Sequence, residues 1–186
     1  MAQKENQRIA LTKKLLQEGL LRLLEVKSLD KISVTELCQE SGINRATFYN
    51  HYASPQELLN DIENRVAKNL VEHIGSPKTA EEANAVVEAI CEYFKANAHN
   101  ILILHRCNAD KAITNALYEL NENYQFYRLN KRYSYVASQS NLRLISVFFH
   151  TGSYNMLLDW ISNDQPLTPK ELAALIVKVA SENFLD

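Results

Sequence analysis

Residues 33–62 read SVTELCQESGINRATFYNHYASPQELLNDI, and they divide into three short capped segments. Ser33 followed three residues later by Glu36 is a capping-box pattern, with Ile32 and Leu37 placed as a hydrophobic staple around it. Gly42 supplies the left-handed position that ends the first helix. Asn44 is suited to cap a second helix, whose first turns carry Arg45, Ala46, Thr47, Phe48, Tyr49, Asn50 and His51. Ser54-Pro55-Gln56-Glu57 opens a third, with proline at the first helical position and glutamate reaching back. A helix, a tight glycine turn and a short helix rich in hydrogen-bonding side chains is the layout of a helix-turn-helix, here over 33–52. The expected partner is duplex DNA.

In such a motif the second helix enters the major groove, and its N-terminal residues meet base edges. Arginine pairs with guanine, and threonine hydrogen-bonds or sets its methyl against thymine, so Arg45 and Thr47 are the expected base readers. Thr35, Tyr49, His51 and Tyr52 are assigned to phosphate oxygens, which fix register and carry little sequence information. Asn44, Ala46 and Asn50 complete the expected contact surface. Phe48 is expected to turn inward, packing the recognition helix on Leu37, Cys38 and the first helix.

The totals bound the alternatives. A 186-residue chain with 46% hydrophobic and 23% charged residues is globular in composition. No apolar run approaches the roughly 20 residues that span a bilayer, and the first residues lack a signal-peptide core, so a cytoplasmic location is expected. Cys38, Cys91 and Cys107 are scattered without metal spacing and read as small buried hydrophobes. His99 and His105 also lack a helical metal-ligand spacing. There is no glycine-rich phosphate loop and no catalytic set that spacing singles out; neither enzyme activity nor a cofactor is expected. The net charge of −2 argues against non-specific coating of nucleic acid. Its distribution is uneven: residues 1–52 hold eight Lys/Arg against six Asp/Glu, and the rest hold twelve against sixteen. A mildly basic head on an acidic body suits phosphate contact at one end.

Outward from the motif, helical spacing of Leu16, Leu20, Leu23 and Leu24 predicts a helix over roughly 8–26, with Lys4, Arg8, Lys13 and Lys14 near its start. Helices follow at 34–41, 45–51 and 55–73. Gly75-Ser76-Pro77 is the clearest break, which divides the chain into a head, 1–74, and a body, 75–186. In the body, Thr79 with Glu82 caps a helix over 80–97; a short helix lies within 97–108 and a long one over 110–136. Residues 142–161 are apolar nearly all round, and Thr168-Pro169-Lys170-Glu171 opens the last helix. The architecture is all-α, about nine helices: a three-helix head and a helical-bundle body. The last two helices carry more apolar surface than one small body covers, which predicts an isologous homodimer through Leu157, Leu158, Trp160, Ile161, Leu172, Leu175, Ile176 and Val179.

Residues 33–59 resemble the DNA-binding head of the TetR/AcrR family of transcriptional regulators. Gly42-Ile43-Asn44, Thr47-Phe48-Tyr49, His51-Tyr52 and Glu57-Leu58-Leu59 stand at the places of that family's pattern. The closing segment, with Gly152, Leu157-Leu158-Asp159-Trp160-Ile161 and Thr168-Pro169-Lys170-Glu171, resembles the regulatory domains of its DhaS-like branch. Two positions depart from the pattern. Pro55 stands where members usually carry a phosphate-contacting lysine, which shifts that role towards Gln56, and Lys27-Ser28 replaces a common glycine.

The resemblance implies a homodimeric, ligand-responsive regulator, a repressor, on a palindromic operator. It also implies an effector pocket, for which Phe94, His99, Leu102, His105, Tyr118, Tyr124, Tyr127, Phe148 and Tyr154 are the candidate lining. Arg128, Lys131, Arg132 and Arg143 would suit an anionic effector or a protein co-regulator. The alternative reading is a co-regulator that keeps the helix-turn-helix but works mainly through a protein partner.

Overall fold

The computed structural model describes residues 2–74, 82–120, 139–163 and 166–181. Every regular element among them is helical. These are α1 Ala2–Val26, a 3-10 turn at Leu29–Lys31, α2 Val34–Ser41, α3 Arg45–Tyr49, α4 Pro55–Ile74, α5 Glu82–Ala96 and α6 Ala98–Arg106. A helical stretch over 111–120 is labelled α7, followed by α8 Gln139–Ser162 and α9 Pro169–Ser181. The all-α expectation is met, with nine α-helices among the described residues. The continuation of α7 towards 136, the break at Gly75-Ser76-Pro77 and the Thr79 cap lie outside those residues.

Two compact units emerge: Met1–Val66 with Ile103–Asp110, and Ala67–Leu102 with Lys111–Asp186. This division differs from the one drawn at the glycine–proline break. Helix α4 runs unbroken through Val66–Ala67.

In the first unit, Leu16, Leu20, Leu23 and Leu24 of α1 are buried, as their spacing requires. Gly19 lies between them, buried, and a Cβ there would meet Ser41 Cβ at 3.0 Å. The missing side chain is what lets α1 and α2 come this close. The expected caps form. Ser33 Oγ accepts the Glu36 N–H at 3.2 Å, and Asn44 Oδ1 accepts that of Thr47 at 2.8 Å. At the start of α4, Ser54 Oγ accepts the Glu57 N–H at 3.2 Å while Glu57 Oε2 accepts the Ala53 N–H at 2.6 Å. The Glu36 carboxylate is engaged by the Lys27 ammonium. Gly42 adopts φ 66°, and the following Ile43 N–H closes on the Cys38 carbonyl at 3.0 Å. Helix α3 ends earlier than the sequence suggests because its last turn tightens: the His51 and Tyr52 N–H groups both donate to the Phe48 carbonyl at 2.9 Å.

In the second unit, α5 packs against α9 and α8. Phe94 and Tyr154 meet edge to face, ring centroids 6.2 Å apart. Trp160 donates through Nε1 to the Leu167 carbonyl at 3.0 Å, fixing the turn into α9. Thr168 and Glu171 complete a reciprocal capping box: Oε2 accepts the Thr168 N–H at 2.7 Å, and Thr168 Oγ1 accepts the Glu171 N–H at 3.2 Å. The Thr168 N–H foremost, and the Thr168 hydroxyl donating to the same Oε2 at 2.8 Å, hold the Glu171 carboxyl below its ordinary range.

The packing corrects the expected dimer surface. Leu157, Leu158, Trp160, Leu172 and Ile176 are buried inside the protomer, Ile161 and Val179 are half-buried, and only Leu175 of that set is exposed. The periodicity found the apolar stripe correctly; α5 supplies the cover that a partner was expected to give. What α8 leaves open is a different face, Leu144, Val147 and Phe148, with Phe148 71% and Leu144 69% exposed.

All three cysteines are free. Burial raises each thiol, Cys91 to about 12, so they serve as small packing groups, as expected.

Phe48 is fully buried under α3. Phe48→Ala should destabilise the protein by about 3–5 kcal/mol, and Phe48→Leu by much less, because only the first leaves a large void. Urea unfolding of the two variants measures the difference.

Candidate nucleic-acid interface

Helix α3 has five residues and presents most of them to solvent. Ala46 and Asn50 are exposed; Tyr49 is 51% exposed. Arg45 is exposed too, its guanidinium carbon 6.0 Å from the Tyr49 ring centroid, so ring and cation form a pair that limits the arginine's freedom. Thr47 and His51 are half-buried, Thr35 stands exposed on α2, and Gln56 is exposed with Nε2 donating to Asn60 Oδ1 at 3.0 Å. Asn44 is exposed, but its carbonyl oxygen is taken up by the cap, which leaves its amide N–H groups for an outside partner.

Phe48 does face inward, meeting the Tyr49 ring edge-on at 5.5 Å and the Tyr52 ring at 6.1 Å. Tyr52 requires a correction. It was assigned to phosphate, but it is only 4% exposed and its hydroxyl donates to Asp61 Oδ2 at 2.7 Å. Gln17, also buried, donates through Nε2 to the same oxygen at 3.1 Å. Burial, with the hydrogen bond to Asp61, pushes the Tyr52 phenol well above its ordinary range, so it remains a donor. Tyr52 is a strut joining the end of α3 to α1 and α4.

Among the described residues the expected effector-pocket side chains stand in several different environments. Phe94 and Tyr154 pack on each other, whereas Tyr118 sits edge-on to His150 at 5.3 Å. Phe148 is on the surface, a second correction, because it lies on the uncovered face of α8. His99 is exposed, Leu102 half-buried, and His105 is exposed with Nδ1 2.6 Å from Asp110 Oδ2. Tyr124, Tyr127, Arg128, Lys131 and Arg132 lie outside the described residues. Among the described residues no group of His, Cys, Asp or Glu could hold a metal ion, and no helix is long and apolar enough to cross a membrane.

Residues 81–182, more than half of the chain, match the TetR-type regulatory-domain family described as "Transcriptional regulator C-terminal region". The chain belongs to the TetR family of transcriptional regulators. A curated relative, the "Uncharacterized HTH-type transcriptional regulator YxbF" of Bacillus subtilis (strain 168), is 33% identical over 91 residues. That match covers 44% of this chain and 24% of the relative, so it spans about a quarter of the relative's length.

Solved TetR-family structures share the fold. A TetR regulator from Streptococcus agalactiae 2603V superposes with TM-score 0.69 at 21% identity, covering 98% of this chain and 100% of that one. One from Syntrophomonas wolfei str. Goettingen gives 0.70 at 17% identity, covering 94% and 97%. The dihydroxyacetone kinase operon activator DhaS gives 0.60 at 17% identity, covering 91% and 93%, in line with the DhaS-like character of the closing segment.

Reading the sequence alone missed Gln17 and Asp61 as partners of this TetR head's recognition helix. One signal was available: Gln17 is a polar residue beside Leu16 and Leu20 on the buried face of α1. Tyr52→Phe should cost about 1.5–3 kcal/mol of stability, the usual range for a hydrogen bond to a charged group. In urea unfolding its effect should not add to that of Gln17→Leu, because both donors end on one carboxylate oxygen.

Proposed function

We propose that this TetR-family chain is a ligand-responsive repressor that acts as a homodimer on a palindromic operator. The observation that carries the reading is the solvent-facing polar surface of α3, held outward while Phe48 and Tyr52 are buried behind it. Arg45 would read a guanine through its O6 and N7, and Thr47 an adjacent base edge or a thymine methyl. Thr35, Asn44, Ala46, Tyr49, Asn50, His51 and Gln56 would make up the surrounding contacts, mostly to phosphate and sugar. A chromosomal target implies a cytoplasmic location.

The exposed face of α8 supports dimerisation. Leu144, Val147 and Phe148 recur at helical spacing, and an open apolar recess of about 330 Å3 is lined by Leu144, Ile145, Phe148 and Phe149. An isologous dimer would bring this face against its own copy about a two-fold axis. Two heads related in this way address half-sites about 34–36 Å apart. An effector bound in the second unit would act by favouring one arrangement of the two heads over another, to the extent of its unequal affinity for them. DhaS is described as an operon activator, which makes a positive sign of control, or action through a protein partner, the second reading.

Selection of bound duplexes from a random pool should return a palindrome. Arg45→Ala should relax one position of each half-site and weaken binding by about 1–3 kcal/mol; Thr47→Ala should relax a neighbouring one. Retrieval of unrelated sequences by the unaltered protein would remove the reading. A reporter gene placed behind the selected site gives the sign of control.

Phe148→Asp should convert the dimer to a monomer in sedimentation equilibrium, leave the helical content intact and lower operator affinity. A monomeric unaltered protein would overturn the α8 interface.

A further inference from the structure

Helix α1 carries several cations that the helix-turn-helix reading leaves without a role, and the structure separates them. Lys14 pairs with Glu18 at 3.8 Å, Arg22 with Glu40 at 2.6 Å, and Lys27, just past the end of the helix, with Glu36. Lys13 differs. No carboxylate pairs with it among the described residues, and its ammonium lies over the face of the Tyr52 ring, 5.2 Å from the centroid. That ring does not move freely: Tyr52 is buried, with its hydroxyl on Asp61 at 2.7 Å, and Gln17, one turn along α1 from Lys13, donates to the same carboxylate oxygen at 3.1 Å. A half-buried lysine held on a fixed ring gives up less side-chain freedom when it meets an anion than one swinging in solvent.

The location gives this cation a use. Tyr52 follows His51 directly, the two ring centroids being 6.4 Å apart, and it packs at 6.1 Å from Phe48, the inward residue of α3. Lys13 therefore sits at the C-terminal end of the recognition helix. Within α3 itself Arg45, the first residue, lies over the ring of Tyr49, the last, at 6.0 Å, so the recognition helix and the residues that follow it carry two cation–ring pairs. The first turn of α4, which lies next along the chain, provides no cation. Pro55 has no donor, Gln56 is hydrogen-bonded to Asn60, and Glu57 is acidic and engaged by the Ala53 N–H.

We propose that Lys13 is a DNA-phosphate contact, set against the end of the recognition helix by the Gln17–Asp61–Tyr52 strut. The proposal rests on the operator-binding reading and extends it to a residue outside the helix-turn-helix. A lysine is a point charge without bidentate geometry, so its contribution is independent of sequence, unlike that of Arg45.

The test uses the full chain, the duplex retrieved by selection and an unrelated duplex of equal length, titrated between about 50 and 200 mM salt. Lys13→Gln should weaken both duplexes alike, roughly 5–10-fold near 0.1 M salt, and reduce the slope of log affinity against log salt by about 0.9. Lys13→Arg, which keeps the charge over the ring, should restore affinity and slope. Lys14→Gln, on the same helix but already paired with Glu18, should change neither. Melting temperatures of all three should match the unaltered protein, since Lys13 contributes no buried pair.

A selective unaltered protein with an unchanged salt slope in Lys13→Gln overturns the Lys13 contact alone. Loss confined to the selected duplex also overturns it, by making Lys13 a base reader, and so does equal loss in Lys13→Arg. If the unaltered protein binds neither duplex, the operator-binding reading itself falls and takes this contact with it.

Discussion

A helix of five residues does not stand on its own in water: nucleation is unfavourable, and even good helix-formers need about 12–15 residues. Everything that α3 could offer a partner therefore depends on what holds it from outside. Gly42 turns the chain at φ 66°, Asn44 satisfies the Thr47 N–H, Phe48 is driven into the core, and Tyr52 ties the far end to Asp61. The hydrophobic anchor supplies most of the energy, and the hydrogen-bonded strut supplies orientation. Between them they use the inward side of α3 completely and leave Arg45, Ala46, Tyr49 and Asn50 in solvent.

Asp61 is the polar centre of that support. Its carboxylate is reached by two neutral donors from two other parts of the first unit, a phenol and an amide, both on one oxygen. Gln17 is almost wholly buried, and its own carbonyl oxygen has no hydrogen-bond partner among the described residues. A site of this kind is sensitive to small displacements, because a misplaced donor leaves a partly buried carboxylate unsatisfied. The same two hydrogen bonds that place the end of the recognition helix are those that satisfy the Asp61 carboxylate.

In the second unit the same apolar excess has two destinations. Helix α8 directs Phe149, Tyr154, Leu157, Leu158 and Trp160 into the protomer, while Leu144, Val147 and Phe148 stay outside. A patch formed by two of the larger apolar side chains, each about 70% exposed, is unusual for a lone chain in water and suits association. The amphipathicity of α8 is slight, as expected of a helix with apolar side chains on both its covered and its exposed sides.

The sequence by itself determined the elements. Cap residues at Ser33, Asn44, Ser54 and Thr168, the glycine stop at Gly42 and the leucine spacing of α1 act within one or two turns, so their effect is local and readable along the chain. For the same reason the sequence marked α3 as the polar helix and Phe48 as its inward residue.

Tertiary structure alone decided which apolar stripe meets the protein's own α5 and which is left for another surface, because a hydrophobic side chain carries no label for its partner. It also decided that Tyr52 faces Asp61 instead of a phosphate, and that Lys13, not Lys14, lies over the Tyr52 ring. Those outcomes depend on residues 9 to 44 positions apart meeting in space, and no local periodicity encodes such a meeting.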